Sequence, residues 1–335
     1  MPVKDRNTNI QNNQETRLGF ATRFRKVEWS NYGLLFAFIT MCIVYSILSP
    51  HFLTLNNITN VLRHAAVILC MACGQTFVLL SAGIDLSQGS IVSLVSVMTV
   101  DMILKQGLIL GSLLGIGAGV LFGLINGIVI GKLRVQPFIA TLGMLYMASG
   151  TALFYSGGAP IYGLEGAQKD TFFWFGGSYI GPIPVPVIFA TIALLVCYLI
   201  LNRTKFGRHV YALGGNEEVA RLGGVNVARI KIAIYTLSAF FSAIGSYLLT
   251  SRVISGQPIL GAGMLMMQSI GAVVIGGTSL FGGEGGVFRT LLGVLLISFI
   301  VNGLNLLAVS TFIQEIVIGA IIILSVMVSI FRKEA

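Results

Sequence analysis

The sequence predicts an all-α membrane protein: about ten transmembrane helices, some of them broken, in a loose internal repeat of four spans on each side of one charged loop. Three features predict it. Of 335 residues, 55% are hydrophobic and only 10% charged, too little polar surface for a soluble chain wrapped around one core. Apolar runs of roughly 20 residues, the length that crosses a bilayer, recur along the chain. The cations gather at alternate ends of those runs, so the net charge of +9 speaks for membrane orientation rather than for nucleic acid.

Residues 1–32 are expected to form a cytoplasmic tail. They are polar, carry Arg17, Arg23, Arg25 and Lys26, and show no small-residue cleavage site before the apolar run, unlike a signal peptide. Between Arg17 and Tyr32 the residues Phe20, Phe24, Val27 and Trp29 interleave with the cations, which fits either a helix lying on the membrane surface or a disordered tail. Residues 33–331 read as one transmembrane domain, with spans near 33–49, 58–82, 87–104, 108–131, 138–157, 183–202, 228–249, 264–277, 286–307 and 312–331, the eighth being short. Residues 332–335 form a second cytoplasmic tail. With both termini inside, Lys132, Arg134, Arg203, Lys205, Arg208, Arg221, Arg229, Lys231, Arg289, Arg332 and Lys333 are cytoplasmic, and only Arg63, Lys105, Lys169 and Arg252 lie outside.

Two glycine-rich stretches interrupt the apolar pattern. Gly83 to Ser90 holds Asp85, a carboxylate that would cost at least about 2.5 kcal/mol in the middle of a spanning helix, so the helix is expected to break, with Asp85 or Ser87 capping the next one. Gly276 to Gly286 is the second break. An apolar helix follows each, and each half then carries an Asn-Gly pair, Asn126-Gly127 and Asn302-Gly303, a weak sign of duplication. In the fourth span Gly111, Gly115, Gly119, Gly123, Gly127 and Gly131 recur every four residues and make a groove of bare backbone; a neighbour must fill it, which places this helix deep in the bundle. The Cys70–Cys73 pair lies in an apolar span with no nearby His, so it reads as two packed thiols. Gly157 to Pro182, the longest outside connection, fits either a docking lip or a connector with interfacial aromatics.

Residues 203–231 form the long charged cytoplasmic loop. It contains a short helix with both ends marked: Asn216 suits the N-cap, Glu217 and Glu218 the first turn, and Gly223-Gly224 the end. Val219 and Leu222 give it a small apolar face, and Glu217 with Arg221 is expected to form an i,i+4 pair. The chain has no phosphate-binding loop of its own, because Gly131-Lys132 is followed by Leu133 and Asn126 stands where the leading Gly is needed. Asp85, Asp101, Glu284 and Glu315 lie near breaks or helix ends, where caps explain them, and no paired carboxylates or Ser/His/Asp set suggests an enzyme. Without a fixed mid-span charge, a neutral polar cargo fits best, and Gln75, Thr76, Asp85, Ser87, Asn126, Thr141, Asn302 and Asn305 are the candidates for its path, against the plainer reading of helix-to-helix hydrogen bonds.

Four separated stretches then carry a resemblance: Ala82 to Ser90, Gln136 to Gly143, Ala212 to Val225, and Ile275 to Leu280 with Gly282-Gly283. From about residue 30 onward the chain resembles the ribose-type monosaccharide ABC importer permeases. It departs from them at Gln88, where Val is common, and over Gln257 to Met267, which lacks a Glu-Leu-Asp triplet that many members carry. The resemblance implies a multi-pass protein of the bacterial plasma membrane. Its implied partners are a second permease copy or paralogue, a cytoplasmic ATPase that supplies ATP and Mg2+ chemistry, and an extracytoplasmic sugar-binding protein; no cofactor is expected on this chain. It also implies that Gly215, Asn216, Glu217, Glu218, Val219, Ala220, Arg221, Leu222, Gly223 and Gly224 form a coupling helix that enters the ATPase. An ion-coupled secondary carrier is the alternative, and would take up its solute on an ion gradient alone. A non-transporting membrane protein is the third reading, and would give no flux under any pairing.

Overall fold

A computed structural model describes residues 29–334, with side chains from 33 to 327. Most of the expected tail, residues 1–28, and its proposed surface helix lie outside the described residues, as does Ala335. Contacts divide the chain into a unit up to Thr40 and a unit from Met41 onward.

Thirteen helices and one small hairpin make up the described residues. In order they are α1 (Trp29–Leu48), α2 (Leu55–Leu80), α3 (Gln88–Gln106), α4 (Leu108–Gly131), α5 (Pro137–Ser156), α6 (Gly166–Gly177), β1 (Tyr179–Ile180), β2 (Ile183–Pro184), α7 (Val185–Arg203), α8 (Lys205–Gly215), α9 (Glu217–Leu222), α10 (Val227–Val253), α11 (Met264–Ile275), α12 (Val287–Leu306) and α13 (Thr311–Glu334). Seven of them, α2, α3, α4, α5, α7, α10 and α12, are long and apolar enough to cross a membrane. Met264–Ile275 is a shorter apolar helix, and of α1 and α13 the described side chains cover the apolar stretches Gly33–Leu48 and Thr311–Met327, so seven of the ten expected spans are found at that length among the described residues.

Helices α2 and α10 form the middle of the Met41–Ala335 unit. From Ala65 to Leu80 every residue of α2 is buried, and α2, α3, α4 and α6 all pack on α10. The approach is close where residues are small. A Cβ on Gly74 would lie 2.7 Å from the Ser238 backbone of α10. The glycine groove of α4 is shared by two neighbours: Gly111 and Gly115 face α3, where a Cβ would come within 2.3 Å of Ile103 and 2.1 Å of Thr99. Gly119 meets both α3 and α10, and Gly123, Gly127 and Gly131 face α10 at 2.2, 2.8 and 2.7 Å. Yet α4 is not deep in the bundle as expected, because the groove covers one face only. Ile109, Leu113 and Leu121 on its other faces are exposed, the pattern of a helix whose remaining sides meet lipid or another subunit.

The long connection is more ordered than a loop. It holds α6 and the hairpin β1–β2, whose antiparallel register pairs Tyr179 with Pro184 and Ile180 with Ile183. Gly176 lets α6 lie on the α10 backbone, since a Cβ there would be 2.3 Å from the Leu248 carbonyl. Buried Phe172 meets the Tyr247 ring edge-on at 5.2 Å, and Arg63 of α2 donates to the Gly177 carbonyl (2.7 Å) while lying 4.1 Å from the Tyr179 ring. Cys70, Cys73 and Cys197 are buried free thiols, with the Cys197 Sγ donating to the Cys73 carbonyl at 3.5 Å.

Candidate functional site

The basic loop holds two helices, not one. Thr204 opens α8 by accepting from the Gly207 amide (3.2 Å), a short-range cap that the Thr-Lys-Phe-Gly sequence provides. Directly after α8 ends at Gly215, Asn216 opens α9, its Oδ1 accepting from the Val219 amide at 3.0 Å. The other end of α9 closes in a Schellman arrangement: Val225 N–H donates to the Ala220 carbonyl (3.1 Å) and Gly224 N–H to the Arg221 carbonyl (3.0 Å). Gly224 takes φ +84°, which a side chain would resist. Two turns of helix are thereby held at both ends by their own sequence.

The side chains of α9 divide by role. Ala220 is buried against the loop, whereas Val219 is 63% and Leu222 80% exposed. Glu217 does not pair with Arg221 as its i,i+4 spacing suggested. Its carboxylate accepts from Lys231 Nζ (2.7 Å) at the start of α10, and Arg221 pairs with Glu218 one turn back. The Schellman turn folds the chain back so that α10 begins beside α9, and Lys231, with 17% side-chain exposure, offers a better-sheltered partner than Arg221 at 52%. Glu217 therefore ties α9 to the bundle, and the two apolar side chains of α9 stay mostly exposed.

Directly before α9, the backbone at Gly214-Gly215 is packed between both helix breaks. Gly283 N–H of the second break donates to the Leu80 carbonyl at the end of α2 (2.9 Å). A Cβ on Gly214 would fall 1.8 Å from that same carbonyl oxygen and 2.5 Å from Gly283 N. A Cβ on Gly282 would fall 2.8 Å from both Ala82 and Gly214. Tyr211, one turn earlier on α8, donates to the Gly285 carbonyl (3.0 Å), and burial pushes its phenol above the ordinary value. Three stretches of backbone from distant parts of the sequence thus touch, with no side chain larger than the Ala82 methyl at their meeting.

Beyond Leu80 the first break runs inward as a non-helical segment and carries a buried polar network. Asp85 Oδ1 accepts from the Ser87 amide (2.9 Å) and Ser87 Oγ (2.6 Å), and Oδ2 from Ser238 Oγ (2.7 Å). Gln88 donates to Ser238 Oγ (3.0 Å) and to the Met71 carbonyl (3.1 Å), and accepts from Ser269 Oγ (3.0 Å). Ser87 occupies the N-cap position of α3 without a side-chain cap bond. Asp85 instead holds the turn ahead of the helix and links it to α10.

The chain matches the family described as branched-chain amino acid transport system / permease component over residues 57–326. The ribose import permease protein RbsC of Bacillus subtilis (strain 168) is 43% identical over 296 residues, covering 88% of this chain and 90% of that one. Its counterpart in Escherichia coli (strain K12) is 40% identical over 299 residues, 88% of this chain and 92% of its own. The L-arabinose transport system permease protein AraH of the same strain is 37% identical over 308 residues, 92% of each. This chain belongs to the ABC sugar importer permeases. No solved structure gives a significant match.

In this ABC sugar permease the eight path candidates do not gather in one place. Asp85, Ser87 and Asn126 do come together, with Asn126 Nδ2 3.5 Å from Ser87 Oγ. Thr76 is engaged by the Ala72 carbonyl and by Thr290, and Thr141 by the Phe138 carbonyl. Asn302 forms a reciprocal amide pair with Asn57, 2.8 Å in each direction, and Asn305 accepts from Gln314 at 2.8 Å. Both polar atoms of Gln75 and Oδ1 of Asn126 are buried without a hydrogen-bond partner. Sequence reasoning missed Ser238, Gln88 and Ser269 as network members. The signal for Ser238 was present: Ser238, Ser242, Ser246 and Thr250 recur every four residues in an apolar span, and all four are fully buried.

Proposed function

We propose that the chain is the membrane-spanning permease subunit of an ATP-driven importer for an aldopentose, an aldohexose or a similar neutral polar solute. It pairs with a second copy or a paralogue and receives its cargo from an extracytoplasmic binding protein. A separate ATPase engages the basic loop on the cytoplasmic side and holds the ATP and Mg2+; this chain binds no cofactor. Both termini are cytoplasmic in the bacterial plasma membrane, and α1, α11 and α13 complete ten crossings around a loose duplication. The relatives named for ribose and L-arabinose support the sugar class.

The observation that carries the coupling role is the pair Val219 and Leu222, exposed on a helix whose ends and inner side are fixed. An unpartnered apolar tip on a rigid mount suits insertion into a cleft. When the ATPase closes and displaces α9, the movement reaches Gly214-Gly215 first and, through it, the ends of α2 and of the second break. Opening and closing the cargo path alternately to each side follows from moving those two ends together. Among the path candidates, Gln75 and Asn126 have unused hydrogen-bonding capacity for a sugar hydroxyl, and the others serve packing first.

The test is the double variant Val219→Ser/Leu222→Ser. Each lost apolar contact is worth about 1.5 kcal/mol on burial, about 3 kcal/mol for the pair, so co-purification of the ATPase should weaken roughly 100-fold while membrane insertion is kept. Unchanged association and uptake would refute the coupling role.

A further inference from the structure

A second cationic feature of the loop end is not accounted for by docking of α9. A cavity of about 690 Å³ lies between α9, the turn joining α4 to α5, and the start of α10. Lys132, Arg134, Arg221 and Lys231 line it, with Glu217 as its single acidic residue. Glu217 is engaged by Lys231, and Arg221 by Glu218. Lys132 and Arg134 are exposed and form none of the ion pairs found among the described residues. The amino-terminal ends of α5, at Gln136-Pro137, and of α10, at Val227-Ala228, also border the cavity, so two helix dipoles add positive potential to it.

The backbone marks Arg134 in particular. It stands in the left-handed region at φ +57°, the only charged residue among the four non-glycine positions with positive φ in the described residues. That conformation is costly for a residue with a Cβ, and glycine or asparagine would relieve it. The turn is nonetheless well held, with Lys132 N–H donating to the Ile128 carbonyl (2.8 Å) and Val135 N–H to the Val129 carbonyl (3.2 Å). A strained backbone that keeps a guanidinium at the rim of an acid-poor cavity points to an anion rather than to packing.

We propose that this cavity binds a phosphate group, and that Lys132 and Arg134 are its principal contacts. Its ligand is the phosphate of an anionic phospholipid headgroup or a free phosphate. The lipid is the better source, because both cations directly follow the spanning helix α4 and so sit at the membrane surface, a placement that rests on the orientation proposed above. Bound there, the phosphate would bridge the α4–α5 turn to α9 and α10 and brace the mount of the coupling helix.

The test uses the purified full-length permease without ATPase, so its outcome does not depend on coupling. Thermal protection is measured in nanodiscs of phosphatidylcholine with increasing phosphatidylglycerol, and separately with inorganic phosphate in pure phosphatidylcholine. Lys132→Gln/Arg134→Asn removes both charges while asparagine suits the left-handed turn; it should need roughly 30-fold more phosphatidylglycerol for the same protection. The charge-conserving Lys132→Arg/Arg134→Lys should behave as wild type. Protection by phosphatidylglycerol alone assigns the site to lipid. Equal protection by inorganic phosphate, lost in the neutral variant, assigns it to the free anion. Protection that is the same in the wild type and the neutral variant, or lost in the charge-conserving one, overturns the proposal. So does a neutral variant whose lipid protection is unchanged while, in a separate pull-down, it no longer retains the ATPase, which would make these cations part of the partner's docking surface.

Discussion

Replacing Gly214 by Ala tests the junction beneath the coupling helix. A Cβ at 214 would lie 1.8 Å from the Leu80 carbonyl oxygen and 2.5 Å from Gly283 N, so it cannot be added without separating the two breaks. Both obstacles are backbone atoms, which cannot swing aside as a side-chain end would. The same Cβ intrudes on the Gly283-to-Leu80 hydrogen bond of 2.9 Å. Overpacking of this kind costs about 1–3 kcal/mol and a lost buried hydrogen bond about 0.5–1.5, so a loss of about 2–4 kcal/mol is expected. Gly215→Ala is the internal control, because a Cβ there has nothing within 4 Å and its φ lies outside the left-handed region. Thermal denaturation of the purified chain, followed by sugar uptake in proteoliposomes with the ATPase, reads both effects. Gly214→Ala should lower the midpoint and uptake together, and Gly215→Ala should change neither. Equal behaviour of the two variants would refute the convergence of the loop on both breaks.

Other expectations follow from the same contacts. Glu218→Gln should leave ATPase co-purification within a factor of about 3 of wild type, because its ion pair with Arg221 is solvent-exposed and such pairs contribute little. Asp85→Ala leaves two Ser87 donors and the Ser238 hydroxyl without their acceptor; it should cost about 3 kcal/mol, seen as a lower thermal midpoint. Gly123→Ala should destabilise α4 against α10 by about 1–3 kcal/mol, while Gly117→Ala on the same helix, with nothing within 4 Å, should be neutral by the same melt. Asn302→Ala should lower stability by about 0.6 kcal/mol through the lost Asn57 pair and leave sugar affinity unchanged, whereas Gln75→Met should reduce uptake without loss of stability.

Much of the loop could be read in advance because its signals are short-range. Asn216 as N-cap and the Gly223-Gly224 ending need only a few neighbouring residues, and both stand in the structure as expected. The partner of Glu217 was misread for the complementary reason. Spacing along a helix proposes Arg221, but six residues of α9 followed by a reversing turn put Lys231, fourteen positions on, within 2.7 Å. Depth of α4 failed in a similar way. The glycine period identifies a packed face but says nothing about the other faces, which the fold leaves exposed.

Composition and local pattern alone determined that this is an all-α membrane protein with two glycine breaks and one capped helix between its greasy halves, since bilayer insertion, capping and chain reversal depend on residues close in sequence. Only the tertiary structure decided which buried polar groups are already paired, such as Asn302 with Asn57 across 245 positions, and which are left open, such as Gln75. It alone brought Leu80, Gly214 and Gly283 into backbone contact. Such meetings depend on how whole helices pack against one another, and no spacing within a single segment records that.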